Sequence, residues 1–162
     1  MIRVQSEDFD VGAELAALAA GDAVTGHHEI GGVVSFLGLV RGGAGDDAVT
    51  AMTLEHFPGM TEKALAEIEA EAKARWPLAA SLIIHRYGRL MPGDRIVLVA
   101  TASAHREAAF AACQFLVDWL KTKAPFWKYE ESRTGGRWVE ARGEDDAAAT
   151  RWQAAATPTQ GG

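Results

Sequence analysis

The stretch HREAAFAACQFLVDWLKTKAPFWKYEES, from His105 to Ser132, decides the fold. Up to Lys123 it reads as the longest helix of the chain, with Phe110, Cys113, Val117 and Leu120 as the expected apolar stripe. Pro125 closes that helix, and FWKYEES beyond it reads as a short strand. GRWVEAR follows as a second strand across a Gly-Gly turn, and EDDAAATRW as a final short helix. Upstream, ASLIIHRYGRL and DRIVLVATAS read as strands joined by the turn Met91-Pro92-Gly93-Asp94. TEKALAEIEAEAKARW is a helix with Leu65, Ile68, Ala72 and Trp76 on one face, Thr61 as its expected cap and Pro77 as its stop. AVTAMTLEHF and EIGGVVSFLGLVRG are further strands, separated by the glycine-rich loop GGAGDD. VGAELAALAA is an alanine-rich helix and IRVQ a short first strand. Strands and helices mix without regular alternation. The expected class is therefore α+β, a mostly antiparallel sheet with packed helices.

The chain has 162 residues, 48% of them hydrophobic and 23% charged, which suits one domain. We expect that domain over residues 1–153 and a flexible tail over 154–162. The net charge of −6 disfavours general nucleic-acid binding. No apolar run is long enough to span a bilayer, so no membrane association is expected, and MIRVQSEDFD does not read as a signal peptide. Cys113 is the single cysteine, which allows neither an internal disulfide nor a multi-cysteine zinc site. It lies on the apolar stripe and reads as a buried small hydrophobe. His27-His28 lacks companions at ligand spacing, so no metal is expected. Glu55-His56 reads as structural, and the tryptophans as core or interface anchors. A cytoplasmic protein is the simplest expectation.

In an acidic chain, clustered cations are informative. Lys121 follows Val117 by one helical turn, which places it at the edge of the expected stripe, near the core or a cleft wall. Lys128 lies beyond the turn at Pro125, which can fold it back toward Lys121. Two amines facing one pocket would favour each other's neutral form, leaving one as a general base or nucleophile and the other as an anion clamp. Against this stands a surface reading: lysines near a helix C-terminus meet the macrodipole, and Asp118 sits one turn before Lys121. His105 and Arg106 open the long helix, where free backbone N–H groups already favour anions. Arg41 ends a strand before the glycine-rich loop, where a guanidinium can reach a phosphate bidentately.

TLEHFPGMTEKALAEI, RWPL, IHRYGRLMPGD, SAHREAAF, LKTKAPFWK and RWVEAR, in this order, resemble the large, catalytic subunit of molybdopterin synthase, the MoaE family with its α/β hammerhead fold. The resemblance runs from about Gly31 to Trp152. It implies conversion of cyclic pyranopterin monophosphate to molybdopterin by installation of two dithiolene sulfurs. The sulfur donor is a small ubiquitin-fold subunit whose C-terminal Gly-Gly carries a thiocarboxylate. The implied assembly is a heterotetramer around a homodimer of large subunits, with no cofactor of its own. By the same resemblance Lys121 is the essential lysine and Lys128 a second one that orients substrate. Arg41, His105 and Arg106 match anion-binding positions; Leu39, Val40, Tyr129 and Glu130 match pocket-lining ones. Arg142 matches an arginine contributed by the neighbouring protomer. Lys123 and Tyr129 depart from the family's usual basic residues, and GGAGDD is richer in glycine than its pattern. Two other classes stay open on the residues alone: a docking scaffold without catalysis, and a Schiff-base lysine enzyme acting on a phosphorylated carbonyl compound.

Overall fold

The computed structural model describes residues 1–21, 29–140 and 143–154. In chain order the elements are β1 (Ile2–Gln5), α1 (Val11–Ala20), β2 (Gly32–Leu39), β3 (Val49–His56), α2 (Met60–Arg75) and β4 (Leu78–Arg86). Then come β5 (Gly88–Leu90), β6 (Arg95–Ser103), α3 (Arg106–Lys123), β7 (Phe126–Ser132), β8 (Gly135–Val139) and α4 (Gly143–Ala154). Among the described residues the strands form two four-stranded sheets. Sheet A has the order β1-β4-β6-β2 and sheet B the order β5-β3-β7-β8. Only β1 against β4 runs parallel among these pairings. The α+β class with antiparallel-dominated sheets is what the sequence led us to expect.

Sheet A is covered on both faces, which explains why its central strands read as near-continuous apolar runs. Ile83, Val97 and Val99 point to one side, against Leu65 and Ile68 of α2 and Phe115, Leu116 and Leu120 of α3. Leu82, Ile84, Leu98 and Ala100 point to the other, with Phe9 and the apolar residues of α1. Sheet B has only a small core of its own, built from Val40, Met52, Leu54 and Leu90.

Three local expectations change. Phe110 is 61% exposed and does not belong to the buried face of α3. That face is made of Ala108, Ala109, Ala112, Cys113, Phe115, Leu116, Trp119 and Leu120. The small alanines allow the helix to lie close on the sheet, so they and not Phe110 define the stripe. Thr61 does not cap α2; the cap position is Gly59, whose N–H donates to Glu62 Oε2 at 2.7 Å. Thr61 is fully buried in the first turn, where its hydroxyl accepts from the Phe57 N–H and donates to the Pro125 carbonyl. ASLIIHRYGRL is two strands in different sheets, broken at Tyr87, with Gly88 opening the second at φ +93°. A side chain there would be strained, so glycine makes the crossing from sheet A to sheet B.

The two sheets also meet through rings. His85 of β4 stacks on Phe126 of β7 with centroids 3.7 Å apart. It is 6% exposed, and burial pushes its imidazole down to about 4 from 6.5. A folded pKa below the unfolded one means that the neutral ring favours folding above pH 6.5.

Two outcomes follow from this packing. Phe115 is fully buried and makes edge contacts with Trp76, Trp119 and Trp152. In urea titrations Phe115→Ala should lower unfolding free energy by about 3–5 kcal/mol. Phe110→Ala, by contrast, should change it by no more than about 0.5 kcal/mol. Stability should also fall as pH drops from 6.5 toward 4, because the unfolded chain binds a proton that folded His85 refuses. The His85 contribution to the slope is at most about 1.4 kcal/mol per pH unit, read as wild type minus His85→Phe.

Candidate functional site

Helix α3 runs back over sheet A. Thr101 Oγ1 donates to the Ala109 carbonyl at 2.7 Å, and Cys113 Sγ lies 3.9 Å from the Val99 carbonyl oxygen. Four residues forward on the helix thus correspond to two residues back along β6. Continued, this places Lys121 over the Arg95 end of β6 and leaves His105 and Arg106 at its Ser103 end. Strand β2 pairs with β6 so that Gly32 faces Ser103 and Leu39 faces Arg95. Arg41, just past Leu39, is therefore at the Lys121 end.

The expected site residues thus form two groups within one chain. Leu39, Val40, Arg41, Lys121, Lys128 and Glu130 belong with one end of sheet A and the adjoining sheet B. His105 and Arg106 belong with the other end. The helical rise between Arg106 and Lys121 is about 22 Å. Both His105 and Arg106 are exposed, and the His105 side chain makes no capping bond to α3. The turn before them is tight: a Cβ on Gly31 would fall 2.1 Å from the Ala104 carbonyl oxygen. Arg142 lies outside the described residues, as do His27 and His28.

The segment between the two lysines is fixed at three points. The Phe126 N–H donates to the Ala124 carbonyl at 2.9 Å, across Pro125. The Pro125 carbonyl accepts from buried Thr61 at 3.3 Å. The Phe126 ring rests on His85. Nothing in the sequence pattern pointed to Thr61 or His85 as supports of this turn, because both contacts come from elements distant in the chain.

Lys121 is exposed, on the same outward helical face as Phe110; of its two expected places, near the core or on a cleft wall, exposure excludes the core. The cause is the alanine-based stripe described above. Lys128 leaves β7 on the face that also carries Glu130, with its Nζ 3.9 Å from Glu130 Oε1 and a side chain 36% exposed. Glu130 is 16% exposed, and its other oxygen lies 3.6 Å from Arg137. It thus stands between two cations. A polar pocket of about 160 Å³ opens beside it, lined also by Asp47, Ser132, Thr134 and Arg137. Ligand sites for small molecules usually hold about 300–1,000 Å³, so this concavity is smaller than a usual one. Neither lysine lines it.

Tyr129 points to the opposite face of sheet B from Lys128. Its ring packs over Gly136 and against Trp138, with centroids 5.2 Å apart. Strand alternation imposes this, so Tyr129 does not share a face with the other pocket candidates. Trp127 and Trp138 are each 55% exposed, whereas Trp119 is buried, so only the latter is a core anchor within the chain. Lys123 sits over the Trp119 ring at 3.9 Å, facing away from the candidate site. Asp118 Oδ2 accepts from Trp152 Nε1 at 2.7 Å and lies 3.6 Å from Arg151, tying α3 to α4. Cys113 is buried and its thiol is pushed up to about 11 by desolvation, which makes it a poor nucleophile. Among the described residues no three His, Cys, Asp or Glu side chains converge as metal ligands, and no helix is long and apolar enough to cross a membrane.

Comparison with known proteins bears on this arrangement. A family pattern described as "MoaE protein" matches residues 4–123. The molybdopterin synthase catalytic subunit of Ralstonia nicotianae is 56% identical over 151 residues, covering 93% of this chain and 83% of that one. The protein of the same name from Escherichia coli K12 is 55% identical, covering 93% and 97%. The solved structure of the molybdopterin biosynthesis MoaE protein from Burkholderia ambifaria superposes with a TM-score of 0.78 at 53% identity, covering 94% and 97%. A complex of subunits 1 and 2 of molybdopterin-converting factor from Helicobacter pylori shares the fold, with a TM-score of 0.69 at 17% identity, covering 87% and 91%. The match over residues 4–123 and relatives similar along nearly the whole chain place it plainly: it belongs to the MoaE family, that of the molybdopterin synthase catalytic subunits.

Proposed function

We propose that this chain catalyses the two sulfur transfers that turn cyclic pyranopterin monophosphate into molybdopterin. The donor is the thiocarboxylated C-terminal glycine of a small ubiquitin-fold subunit. The observation that supports this most is the pinned turn at Pro125, which joins the helix that ends beside Lys121 to the strand that carries Lys128. The Helicobacter pylori complex of two converting-factor subunits supports a small protein partner for the same fold. The reading assigns the chain a cytoplasmic location and no resident cofactor.

Each transfer breaks the donor's acyl C–S bond and forms a C–S bond at a substrate carbon, whose C–O bond breaks in exchange, the oxygen leaving as water or staying on the phosphate as its ring opens. Water supplies the oxygen that turns the donor's acyl group into carboxylate. No electrons change hands, so the residues need only bind anions, move protons and exclude solvent. Lys121 serves as acid/base next to the donor carbonyl. Lys128 orients the substrate and stabilises developing negative charge, and Glu130 fixes Lys128 from one side. Arg41 grips the phosphate. A buried, unreactive Cys113 fits a reaction whose sulfur comes from outside.

In the single chain both amines still meet solvent, and the concavity beside Glu130 is small. Drying the site requires further surfaces. The donor tail supplies one. A second copy of the chain supplies the other: its His105 and Arg106 complete the anion site, because those of the same chain lie at the far end of α3. A homodimer within a heterotetramer, the assembly that the family resemblance implies, meets that need.

The deciding experiment mixes the purified chain, a thiocarboxylated small subunit and the cyclic monophosphate, and measures dithiolene product. Lys121→Ala should reduce its formation by about 10²–10⁴-fold and Lys128→Ala by about 10²–10³-fold, with binding of the small subunit retained. Cys113→Ala should form product at the wild-type rate. Unchanged product in Lys121→Ala would leave only a docking scaffold. Borohydride trapping of the small substrate on Lys121 without the protein donor would instead indicate a Schiff-base enzyme.

A further inference from the structure

His85 belongs to sheet A but touches the strand that carries Lys128. Its register neighbours are Val4 on β1 and Val97 on β6, both apolar. Its Nδ1 lies 2.9 Å from the Arg86 carbonyl oxygen, which accepts the proton of a neutral ring and sets the plane of the imidazole. That plane is nearly parallel to the Phe126 ring, at 17°. Among the described residues the titratable group that acts on His85 from another element is His56 on β3, and two protonated rings there would oppose each other. His56 itself packs tilted against Tyr87, with ring centroids 4.2 Å apart, and its Nε2 lies 3.9 Å from Glu62 of α2.

Phe126 is the first residue of β7 and pairs with His56 of β3. Lys128, two residues on, emerges on the same face, about 7 Å along the strand. A rotation of Phe126 about the strand axis is therefore passed to Lys128 directly. Among the described residues β7 is paired by both β3 and β8 from Lys128 onward, and by β3 at Phe126 and Trp127. The His85 ring adds to the start of the strand a contact from outside the sheet.

We propose that His85 is a positioning residue for Lys128: stacked on Phe126, it fixes the start of β7 and so the direction in which the Lys128 amine leaves the strand. The inference rests on the role given to Lys128 in the proposed function. It adds a support from the other sheet to the anchoring of the turn by Thr61.

The test compares His85→Ala and His85→Phe in the full chain by two measurements. The first is backbone amide exchange of the chain alone. His85→Ala should speed exchange at Phe126–Lys128 by about 10-fold or more and leave Phe115–Trp119 of α3 protected. The second is product formation with the thiocarboxylated subunit. There His85→Ala should lower kcat by about 10-fold or more, with KM for the donor within about twofold. His85→Phe, which keeps a flat ring against Phe126, should restore both. Unchanged exchange at Phe126–Lys128 in His85→Ala, or equal opening of β7 and α3, would overturn the inference. So would a wild-type kcat in a variant whose β7 does open. Should His85→Ala not fold, Phe126→Leu removes the same stack from the other side and carries the same expectations. A wild-type protein that forms no product at all defeats the proposed function, and the exchange measurement then still decides whether His85 holds β7.

Discussion

The close seating of α3 on β6 governs the rest of the molecule. Alanines at 108, 109 and 112 remove bulk from the helix face, and the Thr101 hydroxyl bonds a helix carbonyl across the gap. Small side chains permit close approach, and the buried hydroxyl finds an acceptor in the Ala109 carbonyl. Because the helix begins where β6 ends, close packing forces it to run back along the strand. Its N-terminal cations and its C-terminal lysine are thereby separated by most of the helix length. The geometry of the site follows from that separation.

The second constraint is the short passage from α3 to β7. Pro125 ends the helix, but a proline alone leaves the direction of the following strand open. Thr61 and His85 settle it from α2 and β4, two elements that otherwise belong to the packing of sheet A. Sheet B has little core of its own, so its orientation depends on contacts of this kind and on the glycine crossing at Gly88. Such an arrangement leaves the Lys128 side chain partly exposed on one face of its strand. Partial exposure suits the proposed entry of a partner's tail, after which water is excluded.

Much of this was legible in the sequence, and the failures have physical causes. Helices and strands followed from periodicity and from Pro77 and Pro125 as stops. The split of ASLIIHRYGRL was not legible, because both halves carry similar apolar residues and sheet membership is a tertiary property. Phe110 misled because a large aromatic outweighs alanine on a helical wheel, whereas close packing against a sheet favours the alanine face. That error carried over to Lys121, expected near the core or a cleft wall and found exposed. The alternation of β7 already separates Tyr129 from Lys128, and the motif resemblance, read position by position, concealed it. The separation of Arg41 from His105 required the register of β2 on β6, which no local pattern reveals.

The central claim is that one working site draws Lys121 and Arg106 from different copies of the chain. Intersubunit complementation tests it most directly. Lys121→Ala and Arg106→Ala chains, each inactive alone, are unfolded, mixed in equal amounts, refolded together and assayed with the thiocarboxylated subunit and the cyclic monophosphate. Half of the dimers then contain one of each, and each of those has one site with both residues intact, so activity should return to roughly one quarter of wild type for a two-fold dimer. A mixture as inactive as its two components would show that both residues act within one chain, and would contradict the account.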